Sequence, residues 1–395
     1  MHNVKGKRGN EESRSIEHEL LIASVSLDPA NLDRISAILE NPLDWSLIIQ
    51  GAIHEGILPL FCLRILSAAE RELPPKELEL LNAKLQAHRQ STLRLTWKLV
   101  QCVESLSSNG IENIILKGPI LALQAFGDPN LRQFTDLDLL IHQDDFPKAY
   151  DLLVDLGYVP LINLDNRQKK YIVKSDNHLS LNRQGDILEI HWRIVSQENI
   201  SPLAPDQLWH DTRLVQLGDQ ELRTLSPENT LLYLCFHGAK HGWKQLKWIV
   251  DLAYLCQSCS ESSWLPLLKI ARQSGIFRQV GLGLLLAEDL IGIVLPAYVH
   301  DQINQDPVAK QLESQIIAGL FTNTGSSTLV GNYRFYVTTR ERWQDRLRYM
   351  LELIFLPEAP DWGLISLPEN LSFLYYLIRP LRLTGRAIKT AVISR

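Results

Sequence analysis

IENIILKGPILALQAFGDPNLRQFTDLDLLI, from Ile111 to Ile141, is the stretch that decides the fold. Its pattern predicts a buried strand, a Lys-Gly-Pro turn, a short helix, a polar loop and a second strand that begins at Asp136. Because side chains alternate along a strand, Asp136 and Asp138 share one face at its mouth and Leu137 points to the other. Without a cation, we expect repulsion between the two carboxylates to raise the pKa of Asp138.

The same stretch suits a divalent metal and a phosphate. Mg²⁺ binds carboxylate oxygens and keeps positions open for substrate phosphates. In the turn, Gly118 lets the backbone approach a ligand closely, and the helix that starts at Pro119 offers free N–H groups with a positive dipole end. Two carboxylates after such a turn therefore predict a site for a metal and a phosphorylated ligand.

These residues resemble a known superfamily. Lys117-Gly118, Arg132 and the Asp136-Leu137-Asp138 strand look like the bacterial branch of the DNA polymerase beta-like nucleotidyltransferases that is labelled uncharacterised nucleotidyltransferases. The superfamily's mark is a Gly-Ser or Gly-Gly turn followed at a distance by an Asp-x-Asp strand. Pro119 departs from that pattern, because it removes one side-chain donor and one backbone N–H that would hold a phosphate.

The resemblance implies a metal site of three carboxylates. Asp136 and Asp138 would hold two Mg²⁺ or Mn²⁺ ions, and a third acid from a neighbouring strand would complete the site. Glu189 is the best candidate for that acid, because alternation along the predicted strand Ile187 to Ile194 puts it on one face with His191. If Glu189 pointed away, Asp186 would be the next candidate. His191 itself is either a base or substrate contact, or a residue that packs at the sheet edge.

The candidate phosphate contacts are cationic residues, histidines and one glycine. Lys117, Gly118 and Arg132 would hold the triphosphate of a nucleoside triphosphate (NTP), although Arg132 could equally pair with Asp128 or Asp136. Ser226-Pro227 begins a helix on whose face lie three further candidates: His237, Lys240 and His241. The His-x-x-x-His spacing lacks the glutamate of a zinc protease motif, so phosphate contacts and purely structural histidines both stay open.

The composition of the chain limits which kinds of partner and which compartment are expected. The chain has 395 residues, 45% of them hydrophobic, and a net charge of −5. A long polyanionic partner usually requires a basic excess, so we expect no extended nucleic acid. Five cysteines are too few and too scattered for a disulfide framework, and the polar N-terminus lacks a secretory pattern. We therefore expect a cytoplasmic protein with reduced thiols and no transmembrane segment.

The predicted fold class is α+β. A small mixed sheet of the polymerase-beta type, with helices on one side, would be flanked by N-terminal helices and a large C-terminal helical domain. The predicted division is a disordered tail (1–15), an N-terminal helical segment (16–107), a nucleotidyltransferase core (108–200) and a C-terminal helical domain (201–395).

The resemblance implies a function of metal-dependent nucleotidyl transfer. The chain would transfer NMP from an NTP to an unidentified small-molecule, peptide or protein acceptor and release pyrophosphate. Two alternatives stay open. One is a non-catalytic nucleotide-binding or scaffold protein on a decayed transferase fold, and the other is a metal-dependent phosphohydrolase that uses the same carboxylates.

Overall fold

In the part of the chain that the structure describes, seven strands form one mixed sheet at the centre of the protein. The computed structural model describes residues 15–69, 73–162, 166–195, 203, 205–321, 329–357, 361, 364–365 and 367–393. The strands are β1 (Asn113–Ile115), β2 (Asp136–Ile141), β3 (Val159–Pro160), β4 (His178–Arg183), β5 (Asp186–His191), β6 (Thr212–Leu217) and β7 (Gln220–Leu225). Their order across the sheet is β3-β4-β5-β2-β1-β7-β6.

Strand direction sets the register at the middle of the sheet. β2 is antiparallel to β1 and parallel to β5, while β1 is parallel to β7. The β2–β5 pairing places Asp138 opposite Glu189 and Leu140 opposite His191. Since side chains on paired positions of one face are neighbours, this register brings polar groups from two strands together.

Helices surround the sheet. Before and between the first strands lie α1 (Ile16–Val25), α2 (Asn31–Leu39), α3 (Trp45–His54), α4 (Leu58–Ala69), α5 (Pro75–Ser108), α6 (Gly118–Phe126), α7 (Phe146–Asp155), α8 (Asn166–Ser175) and α9 (Pro205–His210). After the sheet lie α10 (Pro227–Lys240), α11 (Leu246–Cys256), α12 (Trp264–Gln273), α13 (Phe277–Ile291), α14 (Ala297–Ile303), α15 (Pro307–Gly319), α16 (Leu329–Thr339), α17 (Trp343–Phe355) and a C-terminal helix, Tyr375–Ile393.

Capping residues fix the start of α10, the helix that faces the Asp-x-Asp strand. Ser226 Oγ accepts a hydrogen bond from the Asn229 backbone N–H, and Pro227 occupies the first turn, where it needs no donor. The sequence signal for this helix is therefore also its physical cause. It places His237 and Lys240 in the last turn.

Two hydrophobic cores lie against the sheet. One contains Leu137, Leu139 and Ile190 and the buried faces of α5 and α7. The other contains Leu140 together with buried residues of α1, α4, α10, α11 and α13. Helices therefore cover both faces of the sheet, and the expectation of helices on one side was wrong. The second face needs this cover because Asp138 and Leu140 belong to it, and Leu140 is buried.

The β6–β7 hairpin lies in the range that the sequence analysis assigned to the helical C-terminal domain. It extends the sheet past residue 200, since β7 pairs with β1 through Ile115 and Thr224. A hydrogen bond from Thr224 Oγ1 to the Ile115 carbonyl, 2.7 Å long, reinforces the pairing. The division into domains stays a prediction, and of the predicted tail only Ser15 lies among the described residues.

Two further expectations concern thiols and membranes. All five cysteines lie in the described part of the chain and are free. Within that same part, no helix has both the length and the apolar character needed to cross a bilayer.

Candidate active site

A cavity of about 350 Å³ lies between strands β2 and β5 and helices α10 and α11. Most of its polar lining was predicted from the sequence, and the remainder comes from neighbouring strands and helices. The charged and aromatic residues that line it are Lys117, Arg132, Asp136, Asp138, His178, Glu189, His191, Tyr233, Phe236, His237, Lys240, His241, Lys247 and Trp248.

Three side chains converge on the floor of this cavity. Asp138, Glu189 and His191 each offer a ligand atom, and these atoms all lie within 4.8 Å of one another. The convergence follows from the β2–β5 register, which sets Asp138 beside Glu189. Asp136, two residues earlier on the same face, lines the cavity but does not belong to this cluster.

Asp138 is the most buried carboxylate of the cavity, with 1% of its surface exposed. Lys117 Nζ and His191 Nε2 both lie 3.2 Å from its Oδ1. Burial would raise the pKa of Asp138, but the Lys117 charge and the His191 hydrogen bond outweigh it and hold the pKa well below its usual range. The expectation that repulsion raises this pKa was wrong, because the cations lie closer than the sequence could show.

His191 bridges the two carboxylates. Its Nε2 lies 3.2 Å from Asp138 Oδ1 and 3.3 Å from Glu189 Oε2. Burial would lower the pKa of His191, but its hydrogen bonds to Asp138 and Glu189 outweigh burial and raise the pKa. The adjacent His178, whose ring stacks on His191 at 5.0 Å, shows the opposite result. Burial and the charge of His191 lower the pKa of His178 to about 4.

The donor set fits a divalent cation. Asp138 Oδ2 and His191 Nδ1 are both buried and have no hydrogen-bond partner among the described residues. Buried polar atoms are nearly always satisfied, so an unpartnered carboxylate oxygen is an open acceptor. A cation bound between Asp138 and Glu189 would satisfy it, and carboxylate oxygens are ligands for Mg²⁺ and Mn²⁺ alike.

The turn before α6 has the backbone that its glycine predicts. Gly118 adopts φ +64°, in the left-handed region that other residues rarely enter. Lys117 precedes it with 12% of its side chain exposed and pairs with Asp138 rather than standing free for a phosphate. Burial would lower the pKa of Lys117, yet the Asp138 charge outweighs it and raises the pKa, so Lys117 is a fixed cation.

Arg132 forms a buried ion pair with Asp251, a partner that the sequence analysis did not name. Its Nε donates to both carboxylate oxygens of Asp251 on α11, at 2.9 Å each. Burial raises the pKa of Asp251, and the Arg132 charge opposes this rise. Arg132 still lines the cavity, so it supplies positive charge there and also ties the loop before β2 to α11.

The end of α10 brings a cluster of rings and cations to the cavity. The ring centroids of His237 and His241 lie 4.5 Å apart, and both lie within 5.9 Å of Trp248. Burial, followed by Lys117, lowers the pKa of His237, and burial together with Lys240 lowers the pKa of His241 to about 4. At neutral pH these imidazoles are uncharged donors, so positive charge here comes from lysine.

Asp186, the alternative third acid, is engaged elsewhere. Arg94 Nη2 lies 2.9 Å from its Oδ1, and Lys98 Nζ lies 2.7 Å from its Oδ2. Side-chain hydrogen bonds from Arg94 are the largest cause of the lowered pKa of Asp186, and Lys98 adds to them. This cluster joins α5 to the β4–β5 turn and is absent from the residues that line the cavity.

The sequence analysis left the role of His191 open and gave Tyr233 and Lys247 no role. For His191 the signal was present, because alternation had already placed it on the face of Glu189; the missing information was that β5 pairs with β2. Tyr233 lies one helical turn before His237, a spacing that could have added it. Burial lowers the pKa of Lys247 on α11, where no motif marked it.

Most of the chain is similar in sequence to one known family. A family model described as "Uncharacterised nucleotidyltransferase" matches residues 41–292. The solution structure of the antibiotic-resistance factor ANT(2'')-Ia is similar at 13% identity and a TM-score of 0.35, covering 46% of this chain and 93% of that one. The crystal structure of an antigenic nucleotidyltransferase-like protein from Paracoccidioides brasiliensis is similar at 16% identity and a TM-score of 0.31, covering 52% and 96%. No curated protein matches the chain.

Proposed function

The chain belongs to the family of uncharacterised nucleotidyltransferases, and from that premise we propose that it transfers NMP from an NTP to an acceptor with release of pyrophosphate. One observation carries the proposal. Asp138 and Glu189, from adjacent parallel strands, meet in a cavity that Lys117, Arg132, Lys240 and Lys247 also line. Carboxylates for a metal and cations for a triphosphate therefore lie in one cavity.

In this proposal Asp136, Asp138 and Glu189 hold the divalent metal, Mg²⁺ or Mn²⁺. The metal would neutralise charge on the triphosphate and orient the oxygens that attack and leave. Lys117 and Arg132 would draw the triphosphate toward the carboxylates. Gly118 would let the backbone approach it.

The α10 wall would complete the phosphate contacts. Lys240 carries charge, while His237 and His241 donate hydrogen bonds as neutral imidazoles. Neutral donors stabilise a phosphate without adding to the repulsion among the lysines of this wall. Positioning and charge neutralisation would therefore supply most of the rate enhancement.

The proposed reaction is a displacement at the α-phosphorus. The acceptor oxygen bonds to that phosphorus, the bond to the oxygen bridging the β-phosphate breaks, and pyrophosphate leaves with the bonding pair. The acceptor hydroxyl proton passes to solvent. Fold and metal site do not specify what binds beside them, so small molecules, peptides and proteins are all candidates for the acceptor.

A labelling experiment tests the proposal. The protein is incubated with each of the four NTPs, labelled at the α-phosphate, together with Mg²⁺ or Mn²⁺ and a cell extract. We expect the α-label to move to an acceptor in equal amount to the pyrophosphate released. An Asp138→Asn variant, with its fold confirmed by circular dichroism, serves as the inactive control.

The label position separates the alternatives. Free inorganic phosphate from a γ-labelled NTP, with no labelled acceptor, would indicate a phosphohydrolase instead. Nucleotide that binds in a titration but is never consumed would indicate a non-catalytic binding protein. Absence of both binding and turnover would contradict any nucleotide function.

A further inference from the structure

We propose that His191 is a direct metal ligand, so that the site of Asp138, Glu189 and His191 takes a divalent transition-metal ion in preference to Mg²⁺. The inference deepens the proposed function, on which it rests, because it concerns the metal of the same cavity. It assigns to a buried histidine a role for which the sequence offered only a base, a substrate contact or a packing residue.

Distances within the cluster fit a single ion. Neighbouring ligands of an octahedral ion at about 2.2 Å from each ligand lie about 3.1 Å apart. In the structure, His191 Nε2 lies 3.2 Å from Asp138 Oδ1 and 3.3 Å from Glu189 Oε2. The imidazole nitrogen therefore occupies the position of a third ligand beside two carboxylates.

Two buried polar atoms without hydrogen-bond partners in the described part of the chain also support a metal site here. Asp138 is 1% exposed and His191 is 5% exposed. Asp138 Oδ2 has no hydrogen-bond partner among the described residues, so the carboxylate keeps one buried acceptor open beside the contacts of its Oδ1. His191 Nδ1 also has none there, so within that part of the chain the Nε2 contacts alone hold the ring by hydrogen bonding.

The fold fixes the imidazole before any ion arrives. His191 is the last residue of β5 and is paired with Leu140 of β2 on one side and with His178 of β4 on the other. Stacking of the His178 and His191 rings at 5.0 Å and 21° limits rotation further. A ligand held in this way loses little conformational entropy on binding.

The nitrogen ligand decides the class of metal. Mg²⁺ requires oxygen ligands, whereas imidazole suits transition-metal ions. A set of two carboxylates and one imidazole therefore favours ions such as Mn²⁺, Co²⁺ or Zn²⁺ over Mg²⁺. Of the two metals that the resemblance implies, this cluster selects Mn²⁺.

Pulsed electron paramagnetic resonance tests the ligand directly, with Mn²⁺ as the probe on metal-stripped full-length protein. We expect coupling from a bound histidine ¹⁴N nucleus in the wild type and in His178→Gln, and none in His191→Gln. His178→Gln is the matched control, because His178 contacts Glu189 and stacks on His191 without belonging to the cluster. Calorimetry should show Mn²⁺ binding at least about tenfold weaker in His191→Gln, since even outer-shell changes have effects of that size.

Several outcomes would overturn the inference. These are no Mn²⁺ binding, no nitrogen coupling in the wild type, coupling that survives in His191→Gln, or an Mn²⁺ to Mg²⁺ affinity ratio that this substitution leaves unchanged. If His191→Gln fails to fold, His178→Gln protein labelled with ¹⁵N-histidine replaces it, because the neighbouring histidine at Glu189 is then absent: a pattern that changes from ¹⁴N to ¹⁵N supports the inference, and an unchanged pattern contradicts it.

The test is independent of the proposed transfer. Nitrogen coupling without any movement of α-label would contradict nucleotidyl transfer and leave the metal ligand in place. Transfer of α-label without nitrogen coupling would support nucleotidyl transfer and contradict the assignment of His191 as a metal ligand.

Discussion

At the scale of single residues, Asp138 decides whether the cavity works as a metal site. In the structure it is the common partner of Lys117 and His191, both 3.2 Å from its Oδ1. The charge of Lys117 compensates the buried carboxylate, and it would have to share that carboxylate with an arriving metal. Lys117 therefore keeps the Asp138 carboxylate ionised before a metal binds.

Asp138→Asn should therefore abolish metal binding and also destabilise the metal-free protein. The substitution keeps the shape of the side chain but leaves Lys117 buried without its counter-charge, and breaking a buried pair costs about 3–5 kcal/mol of unfolding free energy. Urea titration of the metal-free protein measures it. The half-buried Asp136, replaced by Asn as the control, should change the stability by less than about 0.5 kcal/mol.

A double substitution identifies the cause. If Lys117 is left unpaired in Asp138→Asn, replacing it by Met in the same chain should restore much of the lost stability. Unchanged stability in Asp138→Asn would show that the Lys117 pair contributes nothing. In that case the structural argument for a compensated carboxylate would fail.

The residues of the site show what sequence could predict. Alternation correctly put Asp136 and Asp138 on one face and Glu189 with His191 on another strand's face. It could not tell that these two faces meet, because strand pairing is a property of the whole sheet. The Arg132–Asp251 pair spans 119 positions of sequence, and a single sequence contains no signal for such a contact.

At the scale of elements, the buried indole of Trp243 positions helix α10. Trp243 is fully buried in a slot between glycines of two helices, Gly238 of α10 and Gly283 of α13. A Cβ atom on Gly238 would lie 2.6 Å from three carbons of the Trp243 ring. Trp243 also has φ +51°, a conformation that bulky residues rarely adopt, so the slot holds the chain in a strained turn after α10.

Gly238→Ala should destabilise the protein by about 1–3 kcal/mol, because the added methyl group overpacks the slot and displaces either the indole or the helix. Near-ultraviolet circular dichroism should report the displaced tryptophan, and the thermal midpoint should fall. NTP binding should weaken as well, since α10 carries His237 and Lys240.

Gly319→Ala is the matched control for this substitution. It also lies in a helix, at the end of α15, and a Cβ there has no atom within 4 Å. We expect no loss of stability, or a small gain from reduced freedom of the unfolded chain. Equal midpoints for the two variants would contradict the proposed slot.

Elements were predicted best where local signals were strong. The Ser226-Pro227 start of α10 and the turn at Gly118 were both predicted, because a cap and a glycine act locally. The β6–β7 hairpin was missed, because β6 has no fully buried position and only Val215 and Leu217, two residues apart, pack against a core. A signal was available in the two residues Gly218-Asp219 between the strands, a pair that favours a tight hairpin turn.

At the scale of the whole molecule, the sheet divides two cores, and one of them contains residues of both the N-terminal helices and the helices that follow the sheet. Leu20 and Leu21 of α1 belong to the same buried cluster as Leu284 of α13. Two hydrogen bonds to the Ile291 carbonyl, one from the Leu27 backbone N–H at 2.8 Å and one from Ser26 Oγ at 3.0 Å, strengthen this contact. The helices predicted as separate N-terminal and C-terminal parts therefore share a core.

A shared core predicts one cooperative unfolding transition. Leu21→Ala in one core and Leu188→Ala in the other should each lower the stability by about 2–5 kcal/mol and shift the same transition, because both residues are fully buried. Far-ultraviolet circular dichroism and tryptophan fluorescence should then coincide throughout a urea titration. Leu93→Ala, whose side chain on α5 is 72% exposed, provides the control and should leave the midpoint where it is. Two separate transitions, with Leu21→Ala shifting only one of them, would mean that the helical segments unfold independently, as the predicted division at residues 107 and 200 suggests.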